Sequence, residues 1–75
     1  MSVSNNHILG DNIRAIREKK GWTQEDLAIV TKMSRTFIGD IERARKSPTM
    51  RSLEKIASAL DVRVEFLLSS TNAPK

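Results

Sequence analysis

Cysteine is absent, so no disulfide or thiolate zinc site can staple this chain, and the composition suits a reducing cytoplasm, the expected compartment. His7 is the single histidine; with no second histidine beside it, a surface position near a helix start is expected, not a metal ligand. No apolar run approaches the roughly 20 residues that cross a bilayer, and the N-terminus carries no signal-peptide pattern. Nor is there a glycine-rich loop to cradle a phosphate, and 75 residues leave little room for a pocket of ordinary size. These absences argue against an enzyme, a cofactor or metal protein, and a membrane protein. They leave one small domain, marginal without an ideal bundle or a partner.

What is present is positive charge, +4 overall with a pI near 10.0. The excess is local. Between Lys32 and Arg51 stand six bases (Lys32, Arg35, Arg43, Arg45, Lys46, Arg51) and two acids (Asp40, Glu42), a surplus equal to the whole net charge. A basic patch on an otherwise balanced chain points to a polyanion partner, although a merely solvated basic surface has the same composition.

Periodicity reads as helices throughout. The first spans about Leu9 to Lys20, with Leu9, Ile13 and Ile16 as its apolar stripe, Lys19 and Lys20 at its negative end, and Gly21 as a left-handed C-cap. Trp22 is expected to pack over the helix ends. Thr23 and Asp26 form a candidate capping box for a second helix that buries Leu27, Ala28 and Val30. Residues 31–33 break the pattern, and Ser34 is a candidate N-cap for a third helix carrying Ile38 and Ile41. Pro48 ends a loop, Thr49 caps a fourth helix, and Leu53, Ile56, Ala57 and Leu60 give that helix a clear core stripe. Asp61 opens a last segment, in which Val62, Val64, Phe66, Leu67 and Leu68 crowd together. Residues 1–6 are expected to be a flexible arm without a DNA role, since they carry no Lys or Arg, 7–68 the domain, and 69–75 a disordered tail.

The third helix has two faces. At roughly 100° per residue, Ser34, Ile38 and Ile41 share one side; Thr36, Gly39, Asp40 and Arg43 face the other, with Arg35 and Phe37 on the flanks. Small, hydrogen-bonding and cationic residues facing outward suit a DNA major groove. A solvated surface helix has the same pattern, and spacing alone leaves both readings open.

The residues resemble more than their spacing. Gln24, Leu27 and Ala28 in TQEDLA, Ser34 and Ile38 to Glu42 in SRTFIGDIE, then Ser47-Pro48-Thr49 and LEKIASALDV, are similar to the Cro and phage-repressor (XRE) helix-turn-helix domain over Leu9 to Leu68. The resemblance implies an all-α domain of five helices that binds double-stranded operator DNA as a homodimer. Its two reading helices would enter successive major grooves about 34 Å apart. The RTFI segment and the lack of any further domain also resemble restriction–modification controller proteins. A phage or mobile-element repressor is the alternative, and an antitoxin-type module that contacts a protein is another.

Site roles follow from chemistry and from this resemblance. Arg35 is the leading base reader, because its guanidinium can bond guanine O6 and N7 together. Thr36 offers a hydroxyl or methyl, and Phe37 an apolar edge for a thymine methyl, or else a core side chain. Asp40 either accepts from a cytosine amino group or pairs with a base such as Arg43. Arg43, Arg45, Lys46 and Ser47 look like phosphate clamps, joined by Lys32, Ser34 and Arg51. By family likeness Gln24 touches a phosphate, Arg17 and Glu42 form a partly buried ion pair, and Val64, Leu67 and Leu68 contribute to a dimer contact. Some members also use acidic residues at the positions of Glu25 and Asp26 to touch RNA polymerase. Lys32 and Ala44 stand where the family often has Gly.

Overall fold

The computed structural model describes residues 2–69, with side chains from residue 6 onward. Five α-helices follow in order and there is no strand among the described residues: α1 Ser2–Lys19, α2 Gln24–Thr31, α3 Arg35–Glu42, α4 Met50–Leu60 and α5 Val64–Leu68. α1 packs on α3 and α5, α2 packs on α3 and α4, and α4 closes against α5. Leu9, Ile13, Leu27, Ile38, Ile41, Leu53, Ile56, Leu60 and Leu67 meet in one core.

Local signals set the helix ends. Thr23 Oγ1 accepts from the Asp26 amide at 3.0 Å while Asp26 Oδ2 accepts from the Thr23 amide at 2.9 Å, a reciprocal capping box. Ser34 and Thr49 cap α3 and α4 through the hydroxyl alone, accepting from the amides of Phe37 and Ser52. Gly21 ends α1 with φ +79, the left-handed conformation that only glycine adopts freely.

Four expectations need correction. α1 begins at Ser2, not near Leu9, so residues 2–6 are helical and not a loose arm. No proline interrupts them, and turns added to a packed helix cost far less than a new nucleus. Val30 is 52% exposed; Thr31 takes the buried place on α2, its hydroxyl satisfied by the Leu27 carbonyl at 2.7 Å. Gly39 is buried, not outward, because the Arg43 guanidinium folds back over it. Leu67 is fully buried in the domain's own core and cannot serve as a dimer contact. α5 has one inward side, and Leu67 occupies it. Residues 70–75 of the expected tail, and Met1 of the arm, lie outside the described residues.

Two features went unread in the sequence. Asn12 is buried, and its Nδ2 donates to the carbonyls of Leu67 at 2.8 Å and Ser69 at 3.0 Å, tying α5 to α1. A polar residue beside Ile13 in an otherwise apolar stripe was the available signal. Gly10 lets α1 approach the end of α3: a Cβ there would lie 2.5 Å from the Glu42 carbonyl oxygen and 2.7 Å from that of Ile41. Both obstacles are backbone and cannot rotate away. Gly10→Ala is therefore expected to destabilise the domain by about 1–3 kcal/mol, read as a lower midpoint in urea unfolding.

Lys32, Ala44 and Asp61 all have positive φ, at 60°, 61° and 62°. The left-handed conformation costs an ordinary residue roughly 1–2 kcal/mol, partly offset in a glycine variant by its freer unfolded chain. Ala44→Gly should thus stabilise by about 0.5–1 kcal/mol and raise the thermal midpoint by a few degrees. An unchanged midpoint would show that the strain at Ala44 does not exceed the entropic cost of glycine.

Candidate nucleic-acid interface

α2 and α3, joined by the turn at Lys32 and Met33, set the geometry of the site. Ile38 and Ile41 are locked inside, which fixes the rotation of α3 about its axis. That rotation leaves Arg35 and Thr36 exposed on the outer side, with Phe37 half-buried against the core. Both alternatives for Phe37 keep a physical basis: part of the ring packs inward and part stays accessible.

Behind this face lies a buried polar anchor. Arg17 Nε donates to Glu42 Oε2 at 2.7 Å, and Arg17 Nη2 to Glu42 Oε1 at 3.0 Å, a two-pronged pair joining α1 to α3. Arg17 Nη1 also donates to the Trp22 carbonyl at 2.8 Å, so the same guanidinium holds the α1–α2 turn. The hydrogen bond to Glu42 pushes the Arg17 pKa above its ordinary value, against burial, which pulls it down. A cation with a raised folded pKa stabilises fully below its unfolded pKa and loses that contribution only as pH rises through the folded value. Arg17 therefore stays charged until strongly alkaline pH.

Gln24 points into this network. Its Nε2 donates to Glu42 Oε1 at 3.1 Å, and its Oε1 accepts from Arg35 Nη1 at 3.2 Å. The polar chain thus runs from the domain interior to the outer face of α3.

Beyond α3, Arg43, Arg45, Lys46 and Ser47 are exposed on the loop. Asp40 organises them: its carboxylate lies 3.6 Å from Arg43 Nη2 and 4.0 Å from Lys46 Nζ, and its backbone carbonyl accepts from the Arg45 amide at 2.8 Å. These pairs favour the ion-pair reading of Asp40 over the cytosine-binding one. Ser34 is exposed and its oxygen serves as the α3 cap. Lys32 and Arg51 sit farther along, lining a shallow groove between α2 and α4 with Val30 and Lys55. Among the described residues, no cluster of His, Cys, Asp or Glu could hold a metal ion, and no helix is long and apolar enough to cross a membrane.

Residues 13–67 match the family model described as helix-turn-helix. The chain belongs to the helix-turn-helix family. Within this family it is 38% identical over 60 residues to the immunity repressor protein of Bacillus phage phi105, covering 80% of this chain and 42% of that one. Its fold is similar to the crystal structure of the restriction–modification controller protein C.AhdI from Aeromonas hydrophila, with a TM-score of 0.82, 30% identity, and 85% of this chain against 97% of that one. It is also similar to the biofilm master regulator SinR, solved in complex with DNA, with a TM-score of 0.77, 32% identity, and 81% against 98% coverage. The chain spans 58% and 35% of the length of two further curated relatives.

Proposed function

We propose that the chain is a sequence-specific DNA-binding transcription regulator that acts as a homodimer on a near-palindromic operator in the cytoplasm. The observation that carries this reading is the outer face of α3. Arg35 and Thr36 are free to lie against base edges while Ile38 and Ile41 hold the helix from behind. Exposed Arg43, Arg45, Lys46 and Ser47 flank that face and supply phosphate contacts, with Lys32, Ser34 and Arg51 toward α2 and α4.

Dimerisation would use α5, where Phe66 and Leu68 are 41% and 44% exposed and Val64 is half-buried. A two-fold contact makes such a patch meet its own copy. Likeness to C.AhdI supports a restriction–modification controller, and likeness to the phi105 immunity repressor supports a phage repressor. Glu25 is exposed on α2 and is the candidate contact for RNA polymerase in an activating role.

Footprinting on the DNA upstream of the protein's own coding sequence, at two salt concentrations, tests the reading. Expected is one protected region with two-fold sequence symmetry whose occupancy falls steeply with salt. Absence of any protected region would overturn it, and an antitoxin-type protein contact would then stand in its place.

A further inference from the structure

We propose that Asn12 is the positioning residue that fixes which side of α5 is offered to a second copy of this chain. The inference rests on the reading of α5 as the dimer contact. Hydrophobicity alone leaves α5 ambiguous. Phe66, Leu67 and Leu68 follow one another, and at roughly 100° per residue a slip of one position would bury Phe66 or Leu68 in place of Leu67. α5 has little of its own to resist that slip. It has five residues, far below the roughly 12 that an isolated helix needs, and its N-cap residue, Arg63, makes no side-chain cap bond.

The hold comes from α1. Asn12 is 1% exposed there, and its Nδ2 donates to the Leu67 carbonyl at 2.8 Å and to the Ser69 carbonyl at 3.0 Å. Those carbonyls lie at the C-terminal end of α5, where no further turn offers donors. Both amide protons are thereby committed, and because a carbonyl only accepts, the amide faces them one way round. The consequence is an orphan: Asn12 Oδ1 is buried with no hydrogen-bond partner among the described residues. Leucine has the same branched shape and would leave no orphan, so packing alone does not favour the asparagine. What it adds is direction. A single buried polar residue can specify register at a cost in stability. With the Leu67 and Ser69 carbonyls held, Leu67 turns into the core while Phe66 and Leu68 stay exposed on either flank. Those two are the side chains that a two-fold contact would bring against their own copies.

The experiment compares the wild type, Asn12→Leu, Asn12→Ala and Leu68→Glu by sedimentation equilibrium. Amide hydrogen exchange is read helix by helix at a dilution where the chain is monomeric. Asn12→Leu keeps the branched shape and removes both donors; Asn12→Ala removes them without the branch, so a misfit of the leucine alone does not decide the outcome. Leu68→Glu puts a charge on the outer flank of α5 and tests the dimer reading itself. The expected result is a dimer dissociation constant raised roughly tenfold or more in both Asn12 variants, with faster exchange confined to α5. Exchange quickened equally in α1, α3 and α4, global unfolding included, overturns the register role, and so does dimerisation as tight as wild type in a folded Asn12 variant. Either outcome leaves the dimer reading standing. A wild type that stays monomeric at every concentration, or a Leu68→Glu protein that dimerises as tightly as wild type, removes the α5 contact and this inference with it.

Discussion

Glu42→Ala is expected to destabilise the domain by about 3–5 kcal/mol, because it leaves Arg17 as a buried charge without its counter-ion. Arg17 is 7% exposed and Glu42 4%, so water cannot take over the missing contact without opening the α1–α3 junction. Gln24 loses an acceptor at the same time. For a domain of this size the thermal midpoint should fall by roughly 12 °C or more. Arg17→Met combined with Glu42→Leu removes both charges and keeps apolar volume, so it is expected to regain most of that stability. Unfolding curves for the wild type, Arg17→Met, Glu42→Leu and the Arg17→Met/Glu42→Leu double form the cycle; strictly additive losses would show that the pair is not coupled.

Replacing Arg45 and Lys46 with alanine is expected to flatten the salt dependence of DNA binding and to weaken binding on every sequence alike. Each phosphate neutralised contributes about 0.9 to the slope of log K against log salt. A dimer losing two cations per protomer should therefore show a slope shallower by roughly 3–4. The loss is steepened by Asp40, whose carboxylate is partly neutralised by Lys46 at 4.0 Å and would then face the phosphates with less compensation. Base preference should persist, since Arg35 is untouched. Binding titrations between low and physiological salt give the slope directly, and an unchanged slope would remove this loop from the interface.

The elements of the fold were legible where local chemistry decides them. Thr23, Ser34 and Thr49 announce helix starts because a hydroxyl accepting from an amide three residues on is a local event. The stripe of Leu53, Ile56, Ala57 and Leu60 is buried as its spacing implies. Resemblance added Arg17 with Glu42, which no spacing argument could have paired across the α1–α3 contact.

What failed were faces decided by a neighbour. Leu67 and Leu68 are equivalent in composition, and only the positions of α1 and α4 determine which one goes inside. Gly39 looks outward on a wheel, which has no way to show the Arg43 side chain returning over it. Gly10 is an unremarked helix residue until the backbone of α3 arrives within 2.5 Å of its missing Cβ. Gln24, placed at a phosphate by resemblance, also bonds Glu42 and Arg35 on another helix, contacts that no spacing argument shows.

The central claim is that the outer face of α3 reads bases, and the specificity ratio of Arg35→Ala tests it most directly. Affinities of wild type and variant are measured on the footprinted duplex and on an unrelated duplex at one salt concentration. With one bidentate guanine contact in each half-site, the variant should lose about 2–6 kcal/mol on the specific duplex while its affinity for the unrelated duplex stays within a few-fold. Equal affinities of wild type and variant for the specific duplex would contradict the account.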